Sequence, residues 1–115
     1  TSALPYANGP LHFGHLLEHI QTDIWVRSQR ILGNNCIYLC ASDAHGTPIM
    51  MKAEEENIAP EKLVDKYMKA HKKTLEAFQV SHDCYYQTHS EENKKYSELI
   101  YNTALKNGYI KKQNI

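Results

Sequence analysis

A chain of 115 residues, 42% hydrophobic and 23% charged, has the means for one small domain with its own core. Thirteen basic residues cancel thirteen acidic ones, so bulk charge does not argue for a nucleic-acid partner, and no apolar run approaches the roughly 20 residues that cross a bilayer. Thr1 to Pro5 lacks a basic n-region and an apolar h-region, and three cysteines make no disulfide framework, so a soluble cytoplasmic unit with reduced thiols is expected, with no membrane partner and no signal for an oligomeric state.

Thr1 to Leu4 is too short for a full strand. Tyr6 to Pro10 is turn-rich: Asn8-Gly9 favours positive φ, and Pro5 and Pro10 interrupt regular structure. An amphipathic run follows at once, so a loop feeds a helix. From Gly14 to Leu32 the residues Leu17, Ile20, Ile24 and Ile31 recur at three- and four-residue steps, flanked by Leu16 and Trp25, and Gly33 sits where a left-handed cap belongs. His19 is expected at the helix surface or partly buried, and Arg27 and Arg30 as solvated helix-end charges. Cys36 to Ala41, bounded by Gly33-Asn34-Asn35 and Ser42-Asp43, predicts a buried parallel strand. Thr47-Pro48 caps and opens a helix to about Asn57. A second start at Pro60-Glu61 leads into a face of Leu63, Val64, Tyr67, Met68, His71, Leu75 and Phe78, to about Gln79. Val80 to Gln87 is a short strand or an extended connection, and Ser90 caps a helix that stops at Gly108.

Two stretches carry chemistry. His12, Gly14 and His15 fall where the loop meets the first helix, and free backbone N–H groups and the positive end of the helix dipole favour a phosphate there. Two imidazoles can donate hydrogen bonds to phosphate oxygens, and Gly14, without a Cβ, lets a flat base lie on the backbone. Asp43 follows the predicted strand, at the end of the sheet where open α/β folds bind ligands. It reads equally well as a turn or N-cap carboxylate for the next helix. A metal site from Cys36, Cys40 and His45 lacks the four ligands of a closed zinc centre, so packing thiols and no metal ligand are expected.

His12-Phe13-Gly14-His15 resembles the His-Ile-Gly-His signature of class I aminoacyl-tRNA synthetases. Small nucleotidyltransferases carry a similar His-x-Gly-His, but Ala3 to Pro10 and Cys40 to Ile49 are similar to the methionyl-tRNA synthetase family in content, order and separation, as is Thr88-His89-Ser90-Glu91-Glu92-Asn93. Phe13 replaces a residue that is usually aliphatic, which leaves the nucleotide role intact provided its side chain points to the core. Ser42 stands where the family often has an acidic residue.

The resemblance covers essentially the whole chain but only the first part of that family's catalytic domain. It implies an α/β fold: part of a Rossmann-like parallel sheet with helices on its faces, entered mid-strand at Thr1 to Leu4, with a right-handed strand–helix–strand crossover. Residues 1–115 would be the N-terminal part of a nucleotide-binding catalytic domain with no separate second domain. The implied reaction activates methionine with ATP and Mg2+ and transfers it to tRNA. The implied contacts are His12, Gly14 and His15 with ATP, His12 and His15 being catalytic, and Leu4, Tyr6 and Asp43 with methionine. Any structural zinc would belong to a part of the parent protein outside this chain. A stand-alone nucleotidyltransferase and a non-catalytic fragment are the alternatives.

Overall fold

Two short strands run parallel, β1 (Leu39–Ser42) and β2 (Cys84–Gln87), with Leu39 beside Cys84 and Ser42 beside Gln87. The structure is a computed structural model and describes residues 1–113. Helix α1 (Phe13–Ile31) precedes β1, α2 (Thr47–Glu55) and α3 (Pro60–Ala77) connect β1 to β2, and α4 (Glu91–Lys106) follows. This is the mixed α/β architecture expected, reduced to two paired strands.

Both strands bury alternate residues on one side only. Cys40, Ser42 and Tyr85 point into the protein, while Leu39, Cys84 and Tyr86 are exposed on the other face. On the covered side Leu16 and Val26 of α1 and Leu75 of α3 pack with Tyr38, Cys40, Val80 and Tyr85. A second cluster joins Ala7 and Ala44 to Ile49 and Ala53 of α2 and Leu63 and Val64 of α3. The expectation of a strand buried on both faces, with helices on each, is therefore corrected: among the described residues the helices cover one face.

The ladder is also shorter than the predicted Cys36 to Ala41. The Tyr38 N–H donates to Asp83 Oδ2 at 2.6 Å and the Asp83 N–H to the Tyr38 carbonyl at 2.9 Å. A side chain thus occupies the donor that would have extended the pairing. Residues 1–4 form no ladder. Their segment joins the sheet through one parallel bridge, Tyr6 to Asp43.

Helix α1 turns a different face inward from the one the apolar spacing predicts. Leu17, Ile24 and Ile31 are 59%, 62% and 85% exposed, whereas Leu16, His19, Asp23 and Val26 are buried. Two polar residues go in because partners await them. His19 Nδ1 meets Ser2 Oγ at 3.1 Å, and Asp23 accepts from the Ser81 N–H at 2.7 Å, the Ser81 hydroxyl and Arg27 Nε. Arg27 and Arg30 are likewise not free charges: Arg27 also donates to the Gln79 carbonyl and Arg30 pairs with Asp83 at 2.6 Å. The helix ends as predicted, at Gly33 with φ +84°.

Helix α2 begins at Thr47 after Gly46, with no side-chain cap, so Thr47 is its first residue and not its cap. The Ser90 hydroxyl accepts from the Asn93 N–H at 3.2 Å and caps α4 as expected, but no α4 residue is buried. None of the helices is long and apolar enough to cross a membrane among the described residues.

Candidate functional site

The site forms where the Tyr6 loop meets the carboxyl end of β1. The Asp43 N–H donates to the Pro5 carbonyl and the Ala7 N–H to the Asp43 carbonyl, both at 2.8 Å. These bonds set Tyr6 beside Asp43 at the strand end, with Leu4 two residues before it, at the usual ligand position in open α/β sheets. Asp43 does not cap α2, whose N-cap is Gly46, and among the described residues its carboxylate meets only the Thr88 hydroxyl, at 3.5 Å. The turn reading, left level with the ligand reading by sequence, loses its capping role. No donor among the described residues reaches the Leu4 carbonyl.

The Tyr6 hydroxyl donates to the His45 carbonyl, which gives His45 a part through its backbone. Gly46, at φ +116°, lies under that ring: a Cβ there would sit 2.5 Å from the Tyr6 hydroxyl. Backbone conformation and space both require glycine.

At the start of α1 the two imidazoles satisfy the backbone and each other. His12 is the N-cap, and its Nδ1 accepts from the Gly14 N–H at 3.1 Å; the His15 Nδ1 accepts from the His12 N–H at 3.2 Å. The rings stack with centroids 3.7 Å apart. Since both Nδ1 atoms accept, the neutral rings carry their protons on Nε2. Neither Nε2 has a protein partner among the described residues, leaving two N–H donors at the positive end of a 19-residue helix. Burial, and then the neighbouring His12 and His71, hold His15 below the ordinary histidine value, which favours that neutral form. Gly14 also makes room for the cap: a Cβ there would come 3.0 Å from the His12 ring, which would have to give by a few tenths of an ångström. Phe13, by contrast, is 86% exposed and does not point to the core, contrary to the condition set for it.

The loop before His12 is not a positive-φ turn; neither Asn8 nor Gly9 has that conformation. It is held from outside. The buried His71 of α3 places its Nε2 2.7 Å from the Gly9 carbonyl and its Nδ1 3.1 Å from Ser42 Oγ, which in turn lies 2.9 Å from the Tyr85 hydroxyl. On sequence His71 reads as one member of a helix stripe, with no role of its own. The signal was there, since a polar residue on a buried face needs partners.

A second polar group lies below the sheet end. His19, Cys40 and His82 bring donor atoms within 4.8 Å of one another. Part of the group is engaged already: His19 Nδ1 lies 3.3 Å from His82 Nε2, and Ser2 Oγ bridges His19, Tyr38 and Cys40, while the buried His19 Nε2 has no hydrogen-bond partner among the described residues. Burial, reinforced by His82, depresses His19 to about 4. A cavity of about 510 Å3 opens beyond His45 and Thr88, against the first turn of α4. Its walls include none of His12, Gly14 or His15.

Comparison with known proteins gives one consistent result. A family model described as tRNA synthetases class I (M) matches residues 1–115. The chain is 56% identical over all 115 residues to the methionine–tRNA ligases of two Leptospira biflexa serovar Patoc strains, spanning 17% of their length. Its fold is similar to that of Mycobacterium tuberculosis methionyl-tRNA synthetase bound by methionyl-adenylate, at TM-score 0.75 and 26% identity over 77% of this chain and 18% of that one. A second structure of that enzyme with methionyl-adenylate gives TM-score 0.76 over 78% of this chain.

Proposed function

Because this chain belongs to the class I tRNA synthetase (M) family, we propose that it is the N-terminal part of the catalytic domain of a methionine–tRNA ligase. In the intact enzyme a methionine carboxylate oxygen attacks the α-phosphorus of ATP, a P–O bond forms, and pyrophosphate leaves. The methionyl group of the adenylate then passes to the terminal ribose of tRNA, releasing AMP. Neither step needs a covalent enzyme intermediate, so the protein contributes position and charge stabilisation.

The observation that carries this reading is the paired tautomer at the start of α1. Two Nε2–H donors standing together at a helix N-terminus suit the phosphate oxygens on which negative charge grows during transfer. Asp43 and the open Leu4 carbonyl hold the methionine ammonium, Tyr6 walls its side chain, and Gly14 admits the adenosine beside the His12 ring. Mg2+ does not fit the residues at this helix end. They are imidazoles and one carboxylate, Glu18, which already accepts from the Ala3 N–H at 2.5 Å, so no step is assigned to a metal held by this chain. The cytoplasm is the matching compartment, with all three cysteines free.

The test is pyrophosphate exchange into ATP by the intact protein that carries this chain, with each amino acid supplied in turn. Exchange that depends on methionine is expected. Exchange driven by a different amino acid, or by none, would overturn the proposal.

A further inference from the structure

We infer that His71 is a positioning residue for the phosphate-facing loop: it fixes the Gly9 carbonyl, and through it the entry of the chain into the His12 cap. The inference rests on the adenylate-forming reading above, and its geometry stands apart from that reading.

The hydrogen bonds have a single direction. The Gly9 carbonyl can only accept, so His71 Nε2 carries the proton and donates at 2.7 Å. His71 Nδ1 is then bare and accepts from the Ser42 hydroxyl at 3.1 Å, which leaves Ser42 Oγ to accept from the Tyr85 hydroxyl at 2.9 Å. Ser42, His71 and Tyr85 are all buried, so no water competes for these bonds. Burial also holds His71 low and pushes Tyr85 up to about 12, keeping the chain neutral. One end of this strut is anchored in the sheet: Ser42 is the last residue of β1 and Tyr85 lies on β2. The other end is the loop three residues before His12. Ser42 is also next to Asp43, so one side chain links the phosphate-facing and amino-acid-facing parts of the site to the same strand end.

Asparagine and glutamine separate the two ends of the imidazole. In His71→Gln the side-chain amide reaches the place of Nε2 and can still donate to Gly9; in His71→Asn it reaches only the place of Nδ1. With the intact protein in methionine-dependent pyrophosphate exchange, His71→Asn should lower kcat about tenfold, the scale of one lost buried hydrogen bond, with the methionine KM within about twofold. His71→Gln should stay within about threefold of the parent. Hydrogen exchange of the peptide spanning residues 8–14 should quicken in the Asn variant and not in the Gln variant. Equal activities and equal loop exchange for the two variants would overturn the inference, because a space-filling histidine would be indifferent to which end is kept. Should His71→Asn fail to fold, Ser42→Ala takes its place: it removes the sheet-side anchor of the imidazole, so faster hydrogen exchange of residues 8–14 together with a lowered kcat supports the strut, and unchanged loop exchange with an unchanged kcat contradicts it. A parent protein without methionine-dependent exchange would refute the functional reading, while the loop exchange would still decide the strut.

Discussion

At the scale of the residue, the proposed function gives His15 and Asp43 different parts. In the proposed reaction His15 Nε2 faces the phosphate on which charge grows, so His15→Ala in the intact protein should reduce the exchange rate far more than methionine affinity, by about 3 kcal/mol for one such donor. Steady-state kcat and methionine KM measure the split, and an unchanged kcat would remove His15 from the mechanism. Asp43 stands beside the Tyr6 loop with no capping duty, so Asp43→Asn should weaken methionine use and leave ATP binding nearly untouched. Equal losses for both substrates would return Asp43 to a purely structural part. That His12, Gly14 and His15 lie at a helix start was legible in the sequence because a turn-rich loop running into a helix announces an N-terminus. Their tautomer was not, since it depends on which nitrogen each backbone N–H selects. His71 stayed hidden for a related reason: its partners, Gly9 and Ser42, are far along the chain and only folding brings them together.

At the scale of the element, most helices were readable and their faces less so. Pro60, Ser90 and Gly33 mark ends that the structure keeps, because proline, a capping hydroxyl and positive φ act locally. The inward face of α1 is decided by distant partners. Ser2 and Ser81 receive His19 and Asp23, and the apolar stripe of Leu17, Ile24 and Ile31 stays outside. This has a pH consequence. Burial, then His82, lowers His19 from 6.5 to about 4 in the folded protein, so the unfolded chain takes up a proton first as pH falls. The stability tied to neutral His19 is complete above about pH 6.5 and declines between there and pH 4; His71 and His82, lowered mainly by burial, act in the same direction. Melting temperatures should therefore fall from pH 7.5 to pH 4.5, less steeply in His19→Gln. A flat profile would show that the group does not titrate as its burial requires.

At the scale of the whole molecule, the fold class was legible and the extent of its cover was not. A buried strand and a strand with one bare face read alike when the apolar residues run without a break, as they do from Ile37 to Cys40. Leu39 and Tyr86 lie exposed on the sheet, Ile37 is exposed just before it, Trp25 and the outer stripe of α1 are exposed as well, and no residue of α4 is buried. Apolar surface on this scale invites association, so the isolated 115-residue chain should sediment as a mixture of oligomers at micromolar concentration. A single monomeric species would mean that these faces tolerate water.

On the proposed function, this chain holds the phosphate contacts and part of the amino-acid contacts of a methionine-activating site, as one part of a larger catalytic domain. Methionine-dependent pyrophosphate exchange, run side by side on the intact protein and on the isolated chain, tests it most directly. The intact protein should turn over, and the isolated chain should not exceed its own His12→Ala/His15→Ala control. Clear turnover by the isolated chain above that control would contradict the account.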